Sequence, residues 1–202
     1  MRLMSLMRLM GEDTNRSYES YETHSRKQGG YENLIVYWLA VDISDLTAIF
    51  CNRYIDKKSR TYDQMIQAAR SGKQNIVEGS LENSVEGNLK LTGVARASYG
   101  ELIEDYRDYL RQKGLSIWLK TDFRVVEIRK MRVNANRTHM SYETYESHVK
   151  NPESFANLMI TLCFKQGYLL DQLLKAIQDK YVREGGFREN LFKKRAEFRR
   201  AK

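Results

Sequence analysis

Two segments of the chain combine arginine and lysine with aromatic residues, a pattern that suits binding to phosphate chains. Residues 120–140 place Phe123 beside their cations, and residues 180–202 interleave three phenylalanines with theirs. Arginine and lysine bind phosphate oxygens with release of counterions, and aromatic rings stack on unpaired bases. The candidate nucleic-acid-binding residues are Arg124, Arg129, Lys130, Arg132, Arg137, Arg188, Lys193, Lys194, Arg195, Arg199 and Arg200.

The charge distribution separates these two segments from the rest of the chain. Residues 120–140 hold 6 basic and 2 acidic side chains, and residues 180–202 hold 9 and 3. Because the formal net charge is +8, the remainder is slightly acidic. A surface charged only for solubility would intersperse both signs. One such segment would be explained as a solvated basic face or a disordered tail, but two favour an anionic partner.

A second set of charged residues interrupts helix faces that are otherwise apolar or small. Glu78, Arg96 and Glu101 could form a site between the second and third helices, or an ion pair or cap that fixes helix register. We favour the structural role, and give it to Arg70 as well, because no nucleophile or base completes a catalytic constellation. No catalytic residue and no enzymatic activity are therefore expected.

The remaining chemistry-bearing residues indicate neither a metal nor a cofactor. None of the three histidines lies four residues from another histidine or a cysteine. The segment Arg70–Gln74 resembles the end of a phosphate-binding loop, but Gln67 stands where the first glycine belongs. Both cysteines follow apolar runs in predicted helices, where an inert buried thiol is expected.

Apolar residues recur at three- and four-residue steps from Tyr31 onward, which predicts helices through most of the chain. A single proline leaves long helices uninterrupted, and no convincing strand alternation occurs. Residues that cap helices mark the predicted ends: a Thr61–Gln64 capping box opens the second helix, Ser84 and Gly114 bound the third, and Asn151–Pro152 and Gly185–Gly186 bound the fourth. A short helix is expected over about residues 121–131.

Two of the predicted helices have unusual faces. The apolar arc of the first helix is wider than one core face requires, so a second side of it should also be buried. The second helix contains the small residues Ala68, Ala69, Ser71 and Gly72. Small side chains at a contact allow a neighbouring helix to approach closely.

The predicted fold class is all-α, an antiparallel up-down four-helix bundle. We expect a flexible leader over residues 1–30, the bundle over 31–183 with a long basic connection at 115–150, and a basic helical tail over 184–202. The longest apolar run, Leu34–Val41, is far shorter than the roughly 20 residues of a membrane-spanning helix, and no signal peptide is recognisable. These features predict a cytoplasmic protein with no membrane partner.

Several motifs resemble one protein family. Ala68–Ser71 followed by Asn75–Gly79 is similar to the second helix of the bacterial four-helix-bundle proteins often labelled 23S rRNA-associated, and Leu89–Ser98 is similar to their third helix. Gly29–Leu34 and Glu184–Leu191 resemble the suffix-domain subgroup of that family. The resemblance covers about residues 29–200 and implies the four-helix fold.

The resemblance also implies partners. The family is similar to the accessory protein of diversity-generating retroelements, which forms a five-membered barrel and binds a reverse transcriptase and nucleic acid. For this chain it implies a homo-oligomer, in particular a pentamer, and an accessory role beside a reverse transcriptase or ribosomal RNA. The wide apolar arc of the first helix agrees with an oligomer.

Charge and resemblance together predict a non-enzymatic homo-oligomer that binds RNA or single-stranded DNA through phosphate and shape. The alternative is a protein-interaction scaffold that docks a partner enzyme without binding nucleic acid. No cofactor is expected under either hypothesis.

Overall fold

The computed structural model describes residues 30–133 and 145–200, and within these ranges it is all-helical and contains no strand. A 3-10 turn at Tyr31–Asn33 leads into the first long helix. Residues 1–29 of the predicted leader lie outside the described residues, as does Arg137. The α-helices are α1 (Ile35–Tyr54), α2 (Arg60–Leu81), α3 (Val85–Gln112), α4 (Phe123–Lys130), α5 (Pro152–Glu184) and α6 (Phe187–Arg200).

Most helix ends follow the capping signals in the sequence. Ser84 caps α3, its hydroxyl accepting from the backbone N–H of Gly87 at 2.9 Å. The Asn151 side chain accepts from two backbone N–H groups of the first turn of α5, and Pro152 follows at its first position. Gly114 and Gly185 adopt φ angles of +65° and +78° beyond the ends of α3 and α5, a region that favours glycine.

The predicted start of α2 is wrong by two residues. The cap is Ser59, whose hydroxyl accepts from the backbone N–H of Tyr62 at 3.3 Å, so Thr61 already lies inside the helix. Serine and threonine both suit the capping position, and the local sequence offered both. In this first turn, the Tyr62 hydroxyl donates to Asn52 Oδ1 on α1 at 3.1 Å.

The hydrophobic core lies among α1, α2, α3 and α5. Phe50 of α1 packs edge-on against Tyr106 and Tyr109 of α3 and Phe155 of α5, with ring centroids 5.0, 4.9 and 5.3 Å apart. Burying one such side chain contributes about 1.5–3 kcal/mol. The hydroxyl of Tyr106 is within 3.0 Å of Thr47 Oγ1, which satisfies both buried polar groups.

The small residues of α2 allow the close approach to α3 that the sequence predicts. Gly72 lies against the ring of Tyr99, and a Cβ atom added there would be 2.6 Å from the ring. Beside this contact, the hydroxyls of Ser71 and Ser98 are 3.1 Å apart. At Gly72, only the absence of a side chain lets the two helices pack at this distance.

Helix α1 carries its apolar surface into the core. By length and composition it could cross a membrane, with a mean hydropathy of 1.3, but half of that window is buried inside the protein. The preceding turn covers the start of its other side, where the Tyr31 and Tyr37 rings lie 4.7 Å apart. The chain therefore buries the wide apolar arc only in part, since Ile35 is 48 % exposed and Val41 and Ile49 are half-buried.

The chain segments on both sides of α4 are hydrogen-bonded to α5. The apolar side chains Val125 and Ile128 are buried beneath it. Before α4, the backbone N–H of Trp118 donates to Asn157 Oδ1 at 2.8 Å. After it, Lys165 Nζ donates to the carbonyl of Met131 at 2.6 Å. At these points the described part of the predicted 115–150 connection is therefore held against α5.

Candidate nucleic-acid interface

Arg124, in the first basic segment, is committed to the fold. Asp122 caps α4 by accepting from the backbone N–H of Arg124, and its carboxylate also accepts from the Arg124 guanidinium at 3.0 and 2.7 Å. This hydrogen bonding lowers the pKa of Asp122 and raises that of Arg124. The guanidinium also lies 3.7 Å from the centre of the Trp118 ring. Arg124 therefore holds the loop before α4 in place.

The other cations of this segment divide between paired and exposed. Lys130 Nζ is 3.1 Å from Glu127 Oε1, one turn back on the same helix. Arg129 donates to the carbonyl of Lys120 at 3.2 Å. Arg132 is exposed after the end of α4 and has no ion-pair partner among the residues described. The first segment thus leaves Lys120, Arg129 and Arg132 exposed and without a carboxylate partner in the described structure.

Helix α6 contains the second set of candidate cations, and most of these face solvent. Lys193 pairs with Glu189 at 2.8 Å, which lowers the pKa of Glu189. Over residues 30–133 and 145–200, no carboxylate forms a salt bridge with the remaining five. These five exposed cations are Arg188, Lys194, Arg195, Arg199 and Arg200.

The spacing of residues on α6 sorts its side chains into two adjoining faces. Arg188, Phe192, Arg195 and Arg199 follow one another at steps of four, three and four residues, which places them on one face. The neighbouring face carries Phe187, Leu191 and Phe198, which are 52 %, 53 % and 63 % exposed. None of the residues of α6 is buried. The helix therefore presents both faces to whatever approaches it.

The polar residues assigned a structural role are not brought together. Arg96 of α3 forms an ion pair with Asp171 of α5, through two hydrogen bonds, and Glu78 accepts from Gln74 on its own helix at 3.2 Å. Arg70 and Glu101 are exposed. Arg96 thus links α3 to α5 instead of α2 to α3. No pattern in the sequence indicates Asp171 as the partner of Arg96, because the two lie 75 positions apart.

An acidic groove between α2 and α3 was not foreseen. Its α3 side carries Glu101, Glu104 and Asp105, and its α2 side includes Ala68 and Ser71. Burial, followed by the charges of the neighbouring Asp108 and Glu101, raises the pKa of Asp105 to about 6. This groove repels anions, so the surface that attracts them is confined to other parts of the molecule.

The described residues provide no metal site and no activated thiol. No group of three or more histidine, cysteine, aspartate or glutamate side chains among them could hold a metal ion. Cys51 and Cys163 are fully buried, and burial raises the pKa of Cys51 to about 12 and that of Cys163 further. A thiol with so high a pKa stays protonated near neutral pH and is a poor nucleophile.

Comparison of the chain with protein-family models, with curated proteins and with solved structures finds no match in any of the three. The family resemblance described above therefore rests on the sequence motifs alone.

Proposed function

We propose that this protein is a non-enzymatic nucleic-acid-binding protein whose main contact surface is α6. The observation that carries this proposal is the set of five exposed cations on α6 without carboxylate partners in the described structure. A cation that already has a carboxylate partner must lose it before binding phosphate, whereas an unpaired one releases only solvent and counterions. Such contacts recognise phosphate charge and shape without reading a base sequence. The ligand is RNA or single-stranded DNA.

We also propose that α1, α2, α3 and α5 form an antiparallel up-down four-helix bundle, with α6 as a basic tail. Three contacts support this arrangement. Cys51 near the end of α1 lies 3.8 Å from Met65 near the start of α2, sulphur to sulphur. Gly72 lies against Tyr99, and the carbonyl of Val36 accepts from Gln166 Nε2 at 2.8 Å. Each pair joins residues at positions that antiparallel neighbours would place side by side.

The partners and assembly follow from the family resemblance. We propose a cytoplasmic homo-oligomer, specifically a pentamer, that acts as an accessory to a reverse transcriptase or to ribosomal RNA. Light scattering at micromolar concentration tests the assembly. A mass of about five times 23.8 kDa supports the pentamer, and a mass near 23.8 kDa contradicts any stable oligomer.

A salt titration tests the binding function. The variant K194Q/R195Q/R199Q/R200Q removes four of the exposed cations of α6. For single strands, each lost phosphate contact reduces the slope of log affinity against log salt by about 0.7, so the slope should flatten by about 3. Fluorescence anisotropy with a labelled oligonucleotide measures this slope between 50 and 200 mM salt.

The control variant keeps α6 intact and removes the same total charge elsewhere. Lys57, Lys58, Lys90 and Lys113 are exposed outside both basic segments. Replacing these four by glutamine should leave the slope close to that of the unmodified protein. Equal flattening in both variants would mean that net charge, and not α6, governs binding. No affinity for any oligonucleotide at low salt would end the proposal.

A second candidate function is supported by the apolar face of α6. Phe187, Leu191 and Phe198 are more than half exposed and form an apolar face beside the cations. A protein-interaction scaffold would cover these side chains with a partner enzyme. Failure of the purified protein to bind nucleic acid at low salt would favour this scaffold function.

A further inference from the structure

A shallow recess lies on the cationic side of α6, above the small side chain of Ala196. Its volume is about 340 Å³, and its other walls are Phe192, Arg195, Arg199 and Arg200. Phe192 lies one turn before Ala196, and Arg199 and Arg200 lie one turn after it. The recess is therefore closed at one end by an aromatic ring and at the other by two guanidinium groups.

The chemistry of these walls suits a flat, uncharged ring that is attached to an anion. The Phe192 side chain is 73 % exposed, so a flat ligand can reach the ring. Aromatic and guanidinium groups both stack on flat rings, and guanidinium groups also bind phosphate oxygens. The two carboxylates of α6 should not repel a phosphate bound at the recess. Glu189 is paired with Lys193, and Glu197 does not line the recess. A nucleobase with its flanking phosphates has this combination of properties.

We infer that the Ala196 recess seats one unpaired nucleobase of a single-stranded nucleic acid, stacked on Phe192, with neighbouring phosphates bound by Arg195 and Arg199. This inference rests on the proposed function and names the feature of the ligand that α6 recognises. In a duplex, each base is stacked between its neighbours and cannot enter the recess. The recess therefore adds to the affinity for single strands and contributes nothing to the affinity for duplexes.

Three probes of equal length separate stacking from charge. They are a labelled oligothymidylate, an abasic phosphodiester with the same number of phosphates, and a duplex. The intact protein should bind oligothymidylate at least about five-fold more tightly than the abasic strand, the lower end of the range for one stacked base. The duplex cannot place a base in the recess, so its affinity reports phosphate binding alone.

Two variants of the recess should remove the preference for bases without removing affinity for phosphate. Phe192→Leu eliminates the aromatic face, and Ala196→Leu fills the recess while keeping every ring and charge. Both should lower the affinity for oligothymidylate to that for the abasic strand, and leave the affinity for the abasic strand unchanged. Because neither residue is part of the core, both variants should fold normally.

Phe198→Leu is the matched control, since Phe198 is an exposed phenylalanine of the same helix that does not line the recess. It should keep the preference for oligothymidylate. The inference is overturned if the intact protein binds the abasic strand as tightly as oligothymidylate, or if Phe192→Leu keeps the preference. Absence of binding to all three probes at low salt would instead overturn the proposed function, and with it the inference that the recess binds a nucleobase.

Discussion

Helices α4 and α6 both carry basic residues, but carboxylates pair with two of the three cations of α4 and with only one of the six cations of α6 in the described structure. On α4, Arg124 is held by Asp122 and Trp118, and Lys130 is paired with Glu127. Both ends of that helix are fastened to α5. On α6, five cations face solvent without a carboxylate partner in the described structure, and none of the residues of the helix is buried.

This difference shows that the number of basic residues in a segment does not measure the charge it can offer to a ligand. What decides is how many of those cations a carboxylate pairs with in the folded chain. Helix α4 follows Asp122 and contains Glu127, and each of these acids takes one cation. Helix α6 contains Glu189 and Glu197 among six cations, and Glu189 pairs with one of them.

The largest expected change is a loss of folding stability caused by a core substitution that should leave nucleic-acid binding unaffected. Gly72→Ala places a methyl group within 2.6 Å of the Tyr99 ring, and overpacking of this kind costs about 1–3 kcal/mol of unfolding free energy. Urea denaturation should show this loss, while the oligonucleotide affinity of the folded protein should stay constant because α6 contributes no core residue.

Gly100→Ala is the matched control, since a Cβ atom there meets no atom within 4 Å. In an exposed helix, replacing glycine by alanine should stabilise the protein by about 0.5–1 kcal/mol. If Gly72→Ala also weakened binding by the folded protein, α6 would be coupled to the core, and the contrast between an anchored and a free basic helix would fail.

Within the first basic segment, two arginines should respond in opposite ways. Arg132→Gln removes an exposed cation and should reduce the salt slope by about 0.7 or less, with no change in the thermal midpoint. Arg124→Gln should lower the thermal midpoint, because Asp122 and Trp118 lose their partner, and should leave the slope unchanged. An equal change of slope in both variants would contradict the assignment of Arg124 to the fold.

The smallest expected change is in the pH dependence of folding stability. It comes from Asp105 in the acidic groove between α2 and α3. The pKa of Asp105 rises from 3.8 to about 6 on folding, so between these values the folded state retains a proton that the unfolded state has lost. Stability therefore falls as the pH rises through this window. Asp105→Asn should be more stable than the unmodified protein at pH 7, with the advantage disappearing near pH 4.

Urea midpoints at the two pH values measure this difference. Because Asp105 is only half-buried, solvent screening reduces the gain below that expected from the full pKa change. An advantage that is the same at pH 4 and pH 7 would show that Asp105 does not titrate as described.

The sequence was most informative where structure depends on neighbouring residues. The Ser84 and Asn151 caps and the glycine ends of α3 and α5 were predictable, because each follows from local geometry. The small residues of α2 indicated where a neighbouring helix could approach closely, but not that Tyr99 would lie there. The start of α2 was missed because Ser59 and Thr61 both suit a capping position. The local sequence does not show which of these two residues caps the helix.

The features that could not be predicted depend on contacts between distant positions. Arg96 pairs with Asp171, and Lys165 caps the end of α4, across separations that no periodicity reveals. The stacking of Arg124 on Trp118 likewise depends on how the connection before α4 packs. As a result, the sequence located both basic segments but could not show which of their cations were already engaged.

Hydrogen–deuterium exchange with and without a saturating single-stranded oligonucleotide tests the central claim most directly. A helix of 14 residues with none buried should exchange rapidly when free. We predict strong protection of residues 187–200 on binding and little change over residues 123–132. Protection confined to α4, with α6 exchanging as fast as before, would contradict the account.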